Sequence, residues 1–206
     1  MSEQTIQDNL YSIPVTILDK YTCLSLGATT INDLIKTGKL KSVKVSKNLS
    51  KKPDVLIINK NKEVVVFLEF KTPEELNTQA KIDKAIKQEI SVAQEIGAKI
   101  YVVTDGDKYI WLNPTTGNLI TDENGTPIIR KIDPKAEPKK LAEFIDLVSL
   151  SVSSENDTIL RLEDIDPTDL AKKIARILKR MTFASSKMSL YTFVEVFLFK
   201  YLSGVV

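Results

Sequence analysis

The sequence predicts a mixed α/β domain, and two features carry that prediction. The first is an apolar hairpin, in which residues 55–58 and 64–70 are mostly β-branched or aromatic and flank the polar tetrapeptide 59–62. The second is an amphipathic helical segment, residues 72–96, in which Asn77-Thr78 is a candidate interruption, followed by apolar strand patterns at 100–104 and 109–112. Strands joined through a helix favour a mixed central sheet with flanking helices.

The composition is that of an ordinary globular protein, with 206 residues, of which 43% are apolar and 27% charged. The single cysteine, Cys23, leaves no internal disulfide and fits a reducing cytoplasm. We find no signal peptide and no charge-free apolar run long enough to cross a bilayer, so we expect a cytoplasmic protein with no membrane partner. Histidine is absent, which excludes histidine-ligated metal nucleases, Ser-His-Asp hydrolases and histidine acid–base chemistry in this chain.

The segment before the hairpin gives weaker signals. Residues 4–18 fit a short helix, and residues 28–35 fit a second helix with Thr29 or Thr30 as its N-cap. Residues 41–47 alternate valine with polar residues, which predicts an edge strand before the hairpin.

Acidic and basic side chains gather at one end of the hairpin. Alternation gives its second strand an apolar face and a mixed face, which are Val64, Val66, Leu68 and Phe70 on one side and Val65, Phe67, Glu69 and Lys71 on the other. If Ile58 lies opposite Glu63, then Asp54 faces Phe67 and is diagonal to Glu69, about 7–8 Å away at the backbone. Two carboxylates at that separation can share one divalent cation.

These residue types suit metal-dependent phosphate chemistry. Carboxylate oxygens are hard ligands that fit Mg²⁺, and a bound Mg²⁺ polarises phosphoryl oxygens and lowers the pKa of water. Lys71 lies two residues from Glu69, where an ammonium can orient or activate the attacking water or neutralise developing charge. The hairpin therefore predicts a magnesium site made by Asp54 and Glu69, with Lys71 beside it.

The pattern Pro53-Asp54…Glu69-Phe70-Lys71 resembles the PD-(D/E)xK nuclease superfamily. The resemblance implies a restriction-endonuclease-like fold that hydrolyses double-stranded DNA, with Mg²⁺ held by Asp54, Glu69 and the backbone carbonyl of Phe70. Folds of this kind often add an acid from an N-terminal helix. The sequence does not choose among the candidates, which are Glu3, Asp8, Asp19 and Asp33.

The run from Gln88 to Trp111 carries a more specific resemblance. It reads Gln88…Gly97-Ala-Lys-Ile-Tyr-Val-Val-Thr-Asp-Gly106…Trp111, and it is similar to the N-terminal endonuclease domain of type I restriction enzyme motor subunits and of restriction–methylation fusion enzymes. The resemblance implies that Gln88, on the helix after the Glu-x-Lys strand, is an active-site residue. The tyrosine that the type I pattern has four residues later is Val92 here.

Nine lysines and a single acid, Asp54, lie between positions 36 and 62. Such a basic stretch beside a scissile phosphate would give sequence-independent, salt-sensitive affinity for a nucleic-acid backbone. The alternative is an ordinary solvated surface. The residues that we assign to DNA contact are Lys44, Lys47, Lys51 and Lys52.

The second half of the chain predicts a domain end and an appendage. Asn124-Gly125 suggests a small hairpin, and a helix fits residues 138–152. We place the endonuclease domain at residues 1–150, a linker at 151–166 and a helical connector at 167–206. Within the connector, residues 190–202 are similar to the helical opening of N6-adenine methyltransferase regions. We therefore expect further parts beyond Val206, either a methyltransferase with target recognition or a helicase motor.

Two other functions stay open. One is a nuclease-like fold without catalysis that binds nucleic acid or a partner protein, although such modules are free to lose the acids or the lysine, and all three are present here. The other is an assembly domain that dimerises through residues 190–202, a segment that is equally compatible with a closing core helix.

Overall fold

Six strands form one mixed sheet in the computed structural model, which describes residues 15–17, 19–25, 27, 29–42, 48–160 and 176. The strands lie in chain order across the sheet, and they are β1 (Val15–Ile17), β2 (Tyr21–Ser25), β3 (Val55–Asn59), β4 (Val64–Phe70), β5 (Ile100–Thr104) and β6 (Tyr109–Leu112). Neighbouring strands are antiparallel except β4 and β5, which are parallel. The predicted mixed α/β class is confirmed.

In the part of the chain that the structure describes, three α-helices cover the two faces of this sheet. They are α1 (Ile31–Lys36), α2 (Gln79–Glu95) and α3 (Pro138–Ser151). A parallel strand pair needs a crossover connection, and α2 supplies it between β4 and β5. In the described part of the chain, no helix is both long enough and apolar enough to cross a membrane.

Each face of the sheet has its own apolar core. Against α3, Trp111 and Phe70 are fully buried beside Leu141 and Ile145. On the other face, α1 and α2 cover a core that includes Phe67 and Tyr101, whose rings meet edge to face with centroids 5.5 Å apart. A strand that alternates between two cores presents apolar side chains to both, so the sheet is buried on both faces.

The hairpin formed by β3 and β4 has a different register from the predicted one. Ile58 pairs with Val64 instead of Glu63, and a bulge between Ile57 and Ile58 shifts the pairing by one further residue. The bulge also resets the alternation, because it adds a residue to β4. Val64 therefore packs in the same core as Phe67, and Val65 packs in the other core with Val66. The predicted faces of Val64 and Val65 were wrong for this reason, since each lies on the side assigned to the other.

The helix predicted over residues 72–96 forms in two pieces. A short 3₁₀ turn, Pro73–Glu75, comes first, and the Glu75 carboxylate caps it by accepting hydrogen bonds from the Thr72 N–H and hydroxyl, both at 3.0 Å. The helical conformation is interrupted at residues 76–78 before α2 begins. The end of the helix agrees with the prediction, since Gly97 follows with φ +72°, a left-handed value that glycine adopts without strain.

The N-terminal predictions are only partly tested. Residues 15–17, placed in the helix predicted at 4–18, form β1 instead, while residues 1–14 lie outside the described residues. The helix predicted at 28–35 is α1, with Thr30 as its N-cap. Of the edge strand predicted at 41–47, residues 43–47 lie outside the described part.

Residues 151–160, the first part of the predicted linker, belong to the same unit as the sheet, which runs to Leu160. Asp157 holds them in place: its carboxylate accepts hydrogen bonds from Asn113 at 2.7 Å, Thr116 at 2.6 Å and Asn118 at 2.8 Å. Residues 161–206 form a second unit, of which Arg176 alone is described. Apart from that residue, the predicted connector, including its segment 190–202, lies outside the described residues.

Candidate functional site

The candidate site lies where β3 begins and β4 ends. Asp54 immediately precedes β3, Glu69 is the last but one residue of β4, and Lys71 follows that strand. Because Val55 pairs with Leu68, Asp54 comes directly across the hairpin from Glu69, whereas the sequence had placed it on the diagonal. The Lys71 N–H donates to the Thr104 carbonyl at 2.8 Å, which extends β4 along β5 by one residue.

Backbone and side-chain contacts fix the three residues in place. The Asp54 carboxylate accepts a hydrogen bond from the Phe70 N–H at 2.8 Å. The Lys71 ammonium donates to Glu69 Oε1 at 2.9 Å, and these two side chains are 12% and 13% exposed. The structure thus brings Asp54, Glu69 and Lys71 together at one end of the sheet, in a largely desolvated position.

Burial makes the two acids hard to ionise together. The pKa of Glu69 is raised to about 8, first by burial and then by the negative charge of Asp54, although Lys71 opposes the shift. Burial also raises the pKa of Asp54, against the stabilising Phe70 N–H and the Lys71 charge. Near neutral pH this pair therefore retains a proton, and a bound cation would favour the fully ionised form.

Gln88 is the fourth predicted site residue, and its role in the active site stays a prediction. It lies exposed on α2, at a surface groove of about 220 Å³, and the residues that share the groove are Glu74, Glu75, Lys81, Lys84 and Ala85. The side chain from α2 whose charge acts on Asp54 and Glu69 is the next one, Glu89.

Glu89 was missed by the sequence analysis, although helical spacing contains the signal for it. It lies seven residues after Ile82, four after Ala85 and four before Ala93, which places it within the apolar stripe of α2. A charged residue in such a stripe is directed toward the sheet, where it needs a partner. The Glu89 side chain is 18% exposed and forms an ion pair with Lys51 at 2.8 Å.

The predicted DNA-contacting lysines are only partly described. Lys51 and Lys52 are exposed just before Asp54, and Lys51 is the partner of Glu89. Lys44 and Lys47 lie outside the described residues. The backbone carbonyl of Phe70, the third ligand implied by the resemblance, stays a prediction.

The candidate N-terminal acids divide in a similar way. Asp33 is part of the capping box of α1, in which it accepts a hydrogen bond from the Thr30 hydroxyl at 2.6 Å, and this bond lowers the pKa of Asp33. Asp19 is exposed in the turn between β1 and β2. Glu3 and Asp8 lie outside the described residues.

Among the described residues, no group of three or more cysteine, aspartate and glutamate side chains is placed to hold a metal ion directly. The protein ligands for a cation here would be the pair Asp54 and Glu69. None of the protein families, curated proteins and solved structures compared with this chain matches it.

Proposed function

We propose that this chain contains a Mg²⁺-dependent DNA endonuclease domain with a restriction-endonuclease-like fold, belonging to a restriction–modification enzyme. One observation carries the proposal: Asp54 and Glu69 face each other across the hairpin, and Lys71 forms a salt bridge with Glu69 at the same, largely desolvated end of the sheet. This is the arrangement expected for metal-assisted hydrolysis of a phosphodiester without histidine.

The donor set fits Mg²⁺. Asp54 and Glu69 offer hard oxygen ligands, and Mg²⁺ is usually held by one or two carboxylates together with waters and substrate phosphate. The pKa of Glu69 is raised because nearby positive charge does not fully stabilise its ionised form in this desolvated position. A bound cation would supply the missing positive charge. When bound, Mg²⁺ would act as a Lewis acid toward the phosphate and lower the pKa of a water molecule.

The protein groups around the ion have separate tasks. The Phe70 N–H holds the Asp54 carboxylate in one orientation, so this ligand is preorganised by the strand itself. Lys71 is positioned by Glu69 and by the backbone bond to Thr104, where its ammonium can orient the attacking water or stabilise charge that develops on the phosphate. Both arrangements exist before substrate binds, which lowers the reorganisation needed during reaction.

The resemblance of residues 88–111 to restriction enzymes supports the proposal that this domain works together with further domains or subunits. These would be either a methyltransferase with target recognition or a helicase motor. Lys51 and Lys52, which are exposed on the segment leading into Asp54, would contact the DNA backbone.

Asp54→Asn and Glu69→Gln test the proposal, because each keeps the shape of the side chain and removes a ligand charge. We expect both to lose Mg²⁺ binding in calorimetry and Mg²⁺-dependent cleavage of plasmid DNA. Glu143→Gln removes the same charge from an exposed position on α3 and serves as the control. Full nicking activity in either site variant, or a parent chain that neither binds Mg²⁺ nor cleaves, would refute the proposal. Retained DNA binding without cleavage by the parent would favour the non-catalytic module.

A further inference from the structure

Tyr101 lies beneath the candidate site on the face of the sheet that α2 covers. It pairs with Phe67 across the parallel strands β4 and β5, so Glu69 is its diagonal neighbour on the same face. Tyr101 as a whole residue is fully buried. A tyrosine in this position extends its hydroxyl into the layer between the sheet and α2, where Glu89 also lies.

The Tyr101 hydroxyl is buried without a hydrogen-bond partner within the described part of the chain. A buried polar group left unpaired costs about 1–3 kcal/mol, so such a group calls for a functional or structural explanation. Burial first, then the charges of Glu69, Glu89 and Asp54, raise the pKa of the phenol. The group therefore stays protonated at any working pH, with a proton to donate and lone pairs to accept.

Glu89 approaches the same place from the opposite side. Its position in the buried stripe of α2 directs it toward the sheet, and its charge acts on Asp54, Glu69 and Tyr101. Its one ion-pair partner among the described residues is Lys51, which is itself 45% exposed in its side chain. In the described part of the chain, the charges of three acids, Asp54, Glu69 and Glu89, therefore act at the unpaired Tyr101 hydroxyl. The three carboxylates are not placed to bind one ion directly as a group.

We propose that Glu89 and Tyr101 are positioning residues for a hydrated divalent cation held by Asp54 and Glu69, an inference that rests on the proposed function. Mg²⁺ retains several of its waters in protein sites. The Glu89 carboxylate accepts hydrogen bonds from those waters. The Tyr101 hydroxyl donates to a carboxylate of the site and accepts from a cation-bound water. Groups of this kind around a metal typically change its affinity about 10–100-fold.

The competing explanation is that Glu89 is present only to pair with Lys51. The two explanations predict opposite effects of removing the lysine. If the ion pair is only structural, Lys51→Met and Glu89→Gln disturb the same contact and should weaken the site alike. If Glu89 serves the cation, Lys51→Met removes a nearby positive charge that repels the ion, so Mg²⁺ should bind at least as tightly as in the parent.

The experiment is calorimetric titration of the full chain with Mg²⁺ in the absence of DNA. We expect Glu89→Gln and Tyr101→Phe each to weaken Mg²⁺ binding about 10-fold, Lys51→Met to leave it equal or tighter, and the control Glu143→Gln to leave it unchanged. Fluorescence of Trp111, the single tryptophan, verifies the fold of each variant. Tyr101→Phe removes one oxygen atom, so it provides the test even if the charge change in Glu89→Gln disturbs α2.

The outcomes separate the two proposals. Glu89→Gln or Tyr101→Phe variants that bind Mg²⁺ as tightly as the parent, while Asp54→Asn abolishes binding, would overturn this inference alone. Lys51→Met that weakens binding as much as Glu89→Gln would overturn it as well. Unchanged Mg²⁺ binding in Asp54→Asn would overturn the proposed function on which the inference rests.

Discussion

Glu69→Gln should change the way in which stability depends on pH. The folded-state pKa of Glu69 is raised from 4.5 to about 8, so between these values the folded protein holds a proton that the unfolded chain lacks. Stability therefore decreases as pH rises through this range and is fully retained only below about pH 4.5. One proton corresponds to a slope of up to about 1.4 kcal/mol per pH unit, and the total is on the order of a few kcal/mol.

Glutamine is neutral at every pH, so this slope disappears in the variant. Near pH 5 the parent carries protonated Glu69 and the two proteins should have similar stability. By pH 8 the variant should be the more stable one by about 2 kcal/mol or more in the absence of divalent cations. The hydrogen bond that Lys71 donates to Glu69 needs no separate allowance in this difference in stability, because it is one of the interactions that set the Glu69 pKa.

The assay is urea unfolding at several pH values between 5 and 8 with a chelator present. Trp111 is fully buried in the core against α3, so its fluorescence reports the unfolding of the sheet. Glu143→Gln, exposed on α3, should follow the parent at every pH. A difference between parent and Glu69→Gln that stays constant across pH, or that shifts in favour of the parent as pH rises, would refute the electrostatic reasoning.

Two further predictions concern DNA affinity and the end of the sheet unit. Replacement by glutamine of the four lysines assigned to DNA contact should lower affinity for all DNA sequences about equally. It should also reduce the slope of log K against log salt by about 0.9 for each phosphate that the variant no longer neutralises. An unchanged slope in anisotropy titrations would contradict the assignment and indicate that these lysines form an ordinary solvated surface. These lysines are Lys44, Lys47, Lys51 and Lys52. Asp157→Ala should destabilise the fold by about 1–3 kcal/mol, since it leaves the buried Asn113 amide short of an acceptor. Urea unfolding measures this change, and a destabilisation below about 0.5 kcal/mol, the usual range for surface changes, would contradict it.

The elements that could be predicted from sequence are those with a strong local pattern. The hairpin strands β3 and β4 and the strands β5 and β6 are nearly continuous apolar runs, which a sheet buried on both faces requires. In contrast, β1 and β2 were not predicted. Residues 21–25 become a strand because they pair with β3 along their whole length, an interaction that no local pattern reveals.

Register was the feature that sequence could not provide. The pairing of Ile58 with Val64 and the bulge beside it depend on loop geometry, and a shift of one residue exchanges the faces of every side chain beyond it. The prediction that Asp54, Glu69 and Lys71 come together survived this error because the two shifts add up to two residues. Asp54 thereby stays on the face of Glu69 and moves directly opposite to it.

To predict which residue of α2 faces the candidate site, motif matching has to be combined with the 3.6-residue periodicity of the helix. Gln88 was chosen by its resemblance to a pattern, yet its position on α2 leaves it exposed. Glu89 has the spacing of the buried stripe, and this property can be read from sequence once the helix is known to cover the sheet. Tyr101 could not be identified in this way, because an apolar strand gives no indication that one of its hydroxyl groups lacks a partner.

Single-turnover cleavage by Lys71→Met tests most directly whether Asp54, Glu69 and Lys71 form a metal-dependent nuclease site. Methionine retains most of the side-chain volume, so a decrease in activity would not come from a cavity. We expect cleavage of plasmid DNA in Mg²⁺ to slow by about 10²–10³-fold, the effect of removing one preorganised electrostatic group. Mg²⁺ binding should survive, because an ammonium is not a ligand. A Lys71→Met variant that cleaves at the parent rate would contradict the assignment of this site.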